Sequence, residues 1–518
     1  MMYWLILIHR WLGIVGCLLF AAWFFSGVVL MYVQFPALTP SERITRLPAL
    51  EFDKVQISAD EAWHCSGEAD TPQRVRLNQI VDRPIYHFLT KKGLWRSVYA
   101  DTCAPLVDPT LAAAQPLTAT SVASANRHIS GHVARVTETV ELDQWTVSSS
   151  LNAFRPLHIV TLDDAAGTEL YVSSRTGEVV RDTDRFERGW NWVGAVTHWI
   201  YPVQLRQYPK LWRDVVVWIS IPATIIALTG LILGVARFRW RGQFKSGHRT
   251  PYRGWTRWHH WFGLFFAVTT VTWIFSGLMS MNPFNIFSSK SPEAALQQAW
   301  KGGVLALNYP VGDLKLAHLS ARTMLANPIK EVESHIVAGA TYLQFFDNWD
   351  SSAIVNVLQP HAASREFGRK LLEGHARAVL TLPEAMTDPR AKESTKVETN
   401  ELAAALTFEW LVEYDLYYYA QHTPKRLPVL RVKRNDHSGV WYHIQVASGA
   451  LSERYDQSNR IQRWIYNGLH SWNFRPLWDH RPLWDVLVIV FSVGGFLLAL
   501  TSVVISWRRL RHKLKRPA

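Results

Sequence analysis

The sequence contains few cysteines and none of the short motifs that nucleotide-dependent enzymes use to hold phosphate groups. Only three cysteines occur among 518 residues. The chain has no P-loop, no G-x-G-x-x-G turn after a predicted strand and no G-x-S-x-G nucleophile elbow. These absences argue against an internal site for NAD, flavin or ATP.

Acidic residues are missing from two stretches of the chain, and these stretches hold the excess positive charge. Residues 237–257 contain seven lysines and arginines, and six more cations follow Trp507. Together they account for the whole net charge of +13, so the remainder of the chain is nearly neutral. Both basic stretches adjoin long apolar runs, which is the positive-inside pattern of membrane proteins. The charge therefore indicates a membrane, with lipid as a partner, and not a nucleic acid.

Four apolar runs are long enough to cross a membrane. They cover residues 5–33, 215–235, 261–281 and 486–506. At about 1.5 Å per residue, each can span the roughly 30 Å of hydrocarbon in a bilayer. The first run is predicted to be an uncleaved anchor, because it is too long for a signal peptide and lacks a small-residue cleavage site. The basic stretches place both termini in the cytoplasm and the large polar segments in a bacterial periplasm.

The chain contains a tandem duplication. Each half comprises one apolar run, a polar segment and a second apolar run, so we expect two parallel repeats related by an axis along the membrane normal. At an offset of 250 residues the matches include His9 with His259, Gly13 with Gly263, Trp23 with Trp273, Ser26 with Ser276 and Gly27 with Gly277. At an offset of 272 the matches run without a gap over residues 170–236, and they include His198 with His470 and Thr229 with Thr501.

The polar segments have the patterns of mixed α/β domains. Ser58 precedes a helical pattern as a candidate N-cap, and residues 74–80 and 95–101 alternate as half-buried strands do. Residues 170–180 and 441–451 each contain two β-rich runs around a glycine. Cys65 and Cys103 share the first external segment, where an oxidising compartment allows a disulfide; the alternative is two unrelated thiols.

Four histidines at the ends of the apolar runs are candidate haem ligands. An ionisable residue within a membrane span is a functional candidate by default, and imidazole is a common axial ligand of b-type haem. His9 and His259 lie on the cytoplasmic side, His198 and His470 lie near the external side, and each pair is related by the repeat. Two bis-histidine haems are therefore predicted, one per pair.

Two neighbouring arginines complete this prediction, and a rival ligand and a different role for the histidines are the alternatives. Arg10 and Arg257 are candidate partners of haem propionates. His260 is the rival of His259 as a ligand, but the repeat aligns His260 with Arg10. The alternative is that span-end histidines lie at the lipid headgroups without binding any group.

Several of these segments together resemble PepSY-associated transmembrane proteins. The resemblance depends on "HRWLG" opening a span, a helix-starting "ISADEA" segment, the strand–Gly–strand hairpins and an "LH" shortly before a returning span. It covers most of the chain. The aspartate that the family carries before the hairpin glycine is absent, since the hairpins here are "YVSSRTG" and "HIQVASG".

The resemblance implies a fold and a function. The family includes inner-membrane reductases of ferric siderophores that hold b-type haem through histidines. The expected protein is thus an inner-membrane dihaem oxidoreductase that passes electrons from a quinol or cytoplasmic donor to a periplasmic ferric siderophore. The alternatives are a non-redox PepSY-type binding or peptidase-regulating protein, and a transporter, which the lack of acidic residues within the spans disfavours. A homodimer is compatible with the sequence.

The predicted fold class is membrane α-helical, with four main transmembrane helices in two parallel repeats and two α+β, PepSY-like periplasmic domains. The predicted boundaries are 1–33 for the first span, 34–190 for the first periplasmic domain, 191–236 for a periplasmic-face helix and the second span, 237–257 for the basic loop, 258–282 for the third span, 283–462 for the second periplasmic domain, 463–507 for a periplasmic-face helix and the fourth span, and 508–518 for the basic tail.

Overall fold

The computed structural model describes residues 2–106, 118–381, 405–420 and 424–514. Its helices are, in chain order, α1 Met2–Tyr32, α2 Pro40–Arg46, α3 Ala59–Cys65, α4 Thr118–His128, α5 Arg185–Val193, α6 Ala195–His198, α7 Val203–Arg206, α8 Pro209–Arg237, α9 Gly254–Ser280, α10 Ala294–Lys301, α11 Val311–Arg322, α12 Arg369–Leu380, α13 Gln457–Arg463, α14 Arg475–Trp478 and α15 Leu483–Leu514. A π-helical turn, Trp464–Gly468, follows α13.

The strands form three antiparallel sheets. They are β1 Arg74–Ile80, β2 Arg83–Leu89, β3 Trp95–Tyr99, β4 Ala134–Val140, β5 Leu157–Leu162, β6 Glu169–Ser173, β7 Val179–Thr183, β8 Glu331–Val337, β9 Ala340–Phe346, β10 Ser352–Asn356, β11 Ala363–Ser364, β12 Leu406–Leu411, β13 Val429–Arg434, β14 Trp441–Gln445 and β15 Leu451–Tyr455. The chain divides into two compact units. The helical unit contains Met1–Phe35, Phe186–Ser288 and Ser458–Ala518, and the sheet unit contains Pro36–Arg185 and Ser289–Gln457.

Four helices of the helical unit are long and apolar enough to cross a membrane. These are α1, α8, α9 and α15, with mean hydropathies of 2.4, 2.3, 1.7 and 2.5 over their most apolar segments. Each contains nearly all of one predicted span. The prediction of four apolar helices beside α+β sheets is confirmed, and the length and composition of these helices are those of membrane-spanning segments.

The four long helices form a bundle. Helices α8 and α15 each contact both α1 and α9, which places α1 and α9 on opposite sides of the bundle. Close approach depends on small residues, as is usual between membrane helices. A Cβ atom added to Gly495 would lie 2.3 Å from the Phe24 ring, and one added to Gly494 would lie 2.3 Å from the Phe266 ring. The bundle core therefore has room for large aromatic side chains.

The largest sheet of the sheet unit contains strands from both halves of the chain. Its order is β11-β10-β9-β8-β1-β2-β3, with β1 and β8 antiparallel at the centre. The strands β1, β2 and β3 correspond to β8, β9 and β10 at a constant offset of 257 residues. These segments belong to the two predicted domains 34–190 and 283–462, whereas the β1–β8 pairing joins them in one sheet.

The β1–β8 junction contains a buried cluster of charged side chains. Arg76 donates to Glu178 at 2.7 Å and to Glu331 at 3.2 Å, and Arg43 donates to Glu331 at 2.6 Å. The side chains of Arg76, Glu178 and Glu331 are at most 4% exposed. Burial alone would raise the pKa of Glu178, but the charge of Arg76 holds this pKa well below its ordinary range. The charges of Arg43 and Arg76 likewise lower the pKa of Glu331 against its burial, so both carboxylates are ionised and paired.

The smaller sheets repeat each other. Their orders are β4-β5-β6-β7 and β12-β13-β14-β15, and their strands correspond at the offset of 272 residues. The two predicted strand–Gly–strand segments are the β6–β7 and β14–β15 hairpins, whose Gly177 and Gly449 have φ of +69° and +67°. Only glycine adopts this left-handed conformation without strain, so each glycine permits its turn.

The predicted capped helix of the first polar segment is α3. Ser58 accepts a hydrogen bond from the backbone N–H of Glu61, and the Glu61 carboxylate accepts one from the N–H of Ser58, which is a complete capping box. Cys65, the last residue of α3, forms a disulfide with Cys103, and their Cα atoms are 5.8 Å apart. The disulfide thus attaches α3 to the loop after β3.

Candidate functional site: two histidine pairs

The helical unit brings His9 and His259 together. His9 lies on α1 and His259 on α9, and their ring centroids are 6.3 Å apart with an interplanar angle of 39°. Both residues are half-buried. The pair therefore brings side chains of α1 and α9, which lie on opposite sides of the bundle, close together.

Each ring of the first pair is oriented through its Nδ1 atom. The Nδ1 of His9 lies 3.1 Å from the carbonyl oxygen of Ile226, and the Nδ1 of His259 lies 3.3 Å from that of Leu498. A threonine hydroxyl also contacts each Nδ1, from Thr229 at 3.4 Å and from Thr501 at 3.1 Å. Because a carbonyl oxygen only accepts, Nδ1 carries the proton and Nε2 keeps a free lone pair.

The second pair, His198 and His470, has the same ring separation and the same kinds of Nδ1 partner. His198 ends α6, and His470 follows the π-helical turn; their ring centroids are 6.2 Å apart, with an interplanar angle of 61°. The Nδ1 of His198 lies 3.2 Å from the carbonyl oxygen of Trp23, and the Nδ1 of His470 lies 3.1 Å from that of Trp273. Serine hydroxyls take the place of the threonines, from Ser26 at 3.1 Å and Ser276 at 3.2 Å.

Three glycines allow the helices to approach these rings. A Cβ atom added to Gly230 would lie 2.7 Å from Cε1 of His9, which is closer than van der Waals contact. A Cβ atom added to Gly27 or Gly277 would lie 3.4 Å from Cε1 of His198 or His470. The hydroxyl partners and these glycines are absent from the predicted site. Their signal in the sequence is that Gly27, Ser26 and Thr229 each have an identical residue at the repeat offset.

His260 has a different environment from its neighbour His259. It is buried, its Nδ1 lies 2.7 Å from the Thr250 hydroxyl, and its Nε2 lies 2.8 Å from the Gly234 carbonyl oxygen. Both ring nitrogens are engaged, so His260 connects the basic loop to α8. This geometry favours His259 over His260 as a ligand.

The two arginines predicted to flank the haem do not occupy equivalent places. The Arg10 guanidinium carbon lies 5.6 Å from the Trp11 ring centroid, and the Nε atom of Arg10 is buried without a partner in the described part of the chain. The Nη1 atom of Arg257 lies 3.2 Å from Nε2 of His248, in the basic loop. Arg10 and Arg257 are thus not brought together, and their role toward a propionate stays a prediction.

An aromatic cluster occupies the bundle between the two pairs. Trp23, whose carbonyl orients His198, lies 14 residues after His9 on the same helix, a rise of about 21 Å. Within this interval Phe20 contacts Trp23 with ring centroids 6.3 Å apart, and Phe266, which follows His259 on α9, contacts Phe491 at 5.8 Å. The polar pairs are thus separated by packed aromatic rings.

The geometry of both pairs fits axial ligation of a haem iron. Two Fe–N bonds of about 2 Å, plus about 1.1 Å from each nitrogen to its ring centre, give about 6.2 Å between ring centroids when both bonds are collinear. The observed separations are 6.2 and 6.3 Å. In the described part of the chain no group of three or more His, Cys, Asp or Glu side chains could hold a bare metal ion. Two imidazoles instead suit a metal whose remaining ligands come from a macrocycle.

The chain matches no protein-family model, and no curated protein matches it.

Proposed function

We propose that the protein is a b-type dihaem electron-transfer protein of a bacterial inner membrane, which delivers electrons to a periplasmic ferric siderophore. The observation that carries the proposal is the repeated geometry of the two histidine pairs. Each pair combines a ring separation of 6.2 or 6.3 Å with Nδ1 atoms that are held by backbone carbonyls. Histidines that merely lie at lipid headgroups need neither feature.

The protein's own residues would orient the ligands and tune their basicity. The carbonyls of Ile226, Leu498, Trp23 and Trp273 fix the tautomer, so that Nε2 is the nitrogen available to iron. The serine and threonine hydroxyls add a second contact to each Nδ1. Haem, when bound, supplies reversible one-electron chemistry at iron. The aromatic side chains of Phe20, Phe266 and Phe491 make the region between the pairs apolar.

Two pairs are needed because of the thickness of the membrane. The pairs are about 21 Å apart along α1, so one lies toward each membrane face. The basic loop and tail support placing His9 and His259 on the cytoplasmic side, where a quinol or a cytoplasmic protein is the donor. Reduction of Fe³⁺ to Fe²⁺ weakens the hold of hard oxygen ligands, which releases iron from a siderophore.

A visible spectrum of the purified full-length protein tests the proposal. We expect a b-type signal in the dithionite-reduced minus oxidised difference spectrum and two haems per chain by the pyridine haemochrome assay. Addition of a ferric siderophore to the reduced protein should reoxidise the haem and release Fe²⁺ to a ferrous chelator. A protein expressed with sufficient haem supply that shows no b-type signal would instead favour the non-redox binding module. A b-type signal without reoxidation by siderophores would keep the haem and reject this acceptor.

A further inference from the structure

The basic loop between α8 and α9 has a defined fold. The backbone N–H of Arg239 donates to the carbonyl of Arg249 at 2.9 Å, and that of Phe244 donates to the carbonyl of His248 at 2.8 Å. The loop is also attached to α9, because the Thr250 hydroxyl lies 2.7 Å from Nδ1 of His260. His248 and Arg249 are thereby held beside the beginning of α9.

A cavity of about 490 Å³ lies between this loop and α9. Its apolar wall is one face of α9, formed by two stacked ring pairs: Trp258 with Phe262, and Trp261 with Phe265, each with ring centroids 6.0 Å apart. Trp258 and Phe265 are 53% and 68% exposed. The wall therefore opens to the surroundings of the bundle, which for a membrane helix is lipid.

The other end of the cavity carries positive charge. His248, Arg249 and Arg257 line it, and no Asp or Glu occurs from residue 215 to residue 292. Nη1 of Arg257 donates to Nε2 of His248 at 3.2 Å. Since arginine has only donors, the remaining His248 nitrogen carries the proton and is also a donor. The charged end thus offers N–H donors without a neutralising carboxylate, which suits a phosphate group.

We infer that this cavity binds an anionic phospholipid, with the headgroup phosphate at Arg249, Arg257 and His248 and an acyl chain along the Trp258–Phe265 face. Basic pockets at the cytoplasmic ends of membrane helices commonly recognise anionic headgroups. An uncharged quinol would use the aromatic wall but leave two guanidinium groups without a counter-charge. The inference depends on the membrane position of α9 and not on haem binding.

A lipid titration of the full-length protein tests this site. Native mass spectrometry in detergent would measure binding of dioleoyl-phosphatidylglycerol and dioleoyl-phosphatidylcholine. The test variant is Arg249→Gln/Arg257→Gln, and the matched control is Arg509→Gln/Arg511→Gln, which removes two exposed charges from the end of α15. We expect the test variant to weaken phosphatidylglycerol binding by about 30-fold and the control to change it less than about threefold.

Two further measurements keep the result unambiguous. Arg249→Lys/Arg257→Lys, which keeps the charge, should restore most of the affinity and excludes misfolding as the cause of the loss. Wild-type protein should bind phosphatidylcholine much more weakly than phosphatidylglycerol. The inference is overturned if the two lipids bind equally, if the test and control variants lose the same affinity, or if a soluble ubiquinol analogue binds this cavity while phosphatidylglycerol does not.

Discussion

In the helical unit, each histidine has the same kinds of hydrogen-bond partner as its counterpart in the other half of the chain. His9 contacts Ile226 and Thr229, and His259 contacts the residues 272 positions later, Leu498 and Thr501. In the sheet unit, equivalent positions differ. Pairs at corresponding places include Asn78 and His335, Arg76 and Glu333, Tyr171 and His443, and Glu178 and Ala450.

The two units therefore differ in how strongly the duplicated halves have kept the same side chains at equivalent positions. The duplicated halves retain identical contacts where both must orient an imidazole in the same way. They have diverged in the sheet unit, where a side chain of one half pairs with a different side chain of the other half, as Arg76 does with Glu331. The contrast indicates that the histidine pairs carry a task common to both halves, whereas the sheet unit holds features that occur once.

Removing one ligand from each pair is the change with the largest expected effect. His470→Ala should lose one of the two haems and all ferric-siderophore reduction, and His9→Ala should lose the other haem and the same activity, because the proposed relay uses the two pairs in series. Haem per protein and Fe²⁺ release measure both effects. His260→Gln is the matched control and should keep two haems. Full haem content in either alanine variant would refute that ligand assignment.

Breaking the charge cluster should affect stability and not the histidine pairs. Glu178→Gln leaves Arg76 buried with one acidic partner fewer, which should cost about 3–5 kcal/mol of unfolding free energy. Thermal unfolding of the full-length protein measures this loss, and haem content should remain at two per chain. Lys91→Gln removes an exposed ion pair with Asp70 and should cost at most about 1 kcal/mol. An equal effect of both substitutions would contradict the role of burial.

The sheet unit should also be sensitive to acid. Burial would raise the pKa of Glu333, but the adjacent Arg74 lowers it to about 2 from an ordinary 4.5. A carboxyl with a depressed folded-state pKa stabilises the fold above the ordinary value, and this stability is lost as the pH falls from 4.5 toward 2. The unfolding temperature should fall as the pH is lowered from above this window into it. Glu333→Gln should make this fall smaller. Glu68→Gln, which removes a more exposed pair with Arg96, should leave the decline unchanged.

The glycines beside the rings allow a finer comparison of the two pairs. Gly230→Ala should displace His9, because the added Cβ would lie 2.7 Å from its ring. This overpacking should lower the free energy of unfolding by about 1–3 kcal/mol. Gly277→Ala should be tolerated better, since its Cβ would lie 3.4 Å from His470. Haem retention during gel filtration measures both. A greater loss in Gly277→Ala than in Gly230→Ala would contradict this order.

Local patterns were sufficient to predict the regular elements. The four apolar runs, the Ser58 cap and the glycine hairpins depend on neighbouring residues, and the structure contains all of them. The β1–β8 pairing could not be predicted, because it joins strands that are 257 residues apart in the sequence. The partners of Arg76 in this pairing also include Glu178, which lies in a third segment of the chain. The histidine pairing and the preference for His259 over His260 followed from the repeat, and the hydrogen bonds of His260 support the same choice.

The register of β1 and β8 has a consequence for how a duplicated protein can use charge. Arg76 lies opposite Glu333, and these residues occupy equivalent positions of the two halves, so they flank the local pseudo-twofold axis. A true homodimer places the same residue on both sides of such an axis, and a charged residue there would face its own charge. Fusion of two copies into one chain removes this restriction. One half can then carry a positive residue and the other half a negative residue at equivalent positions, as Arg76 and Glu333 do.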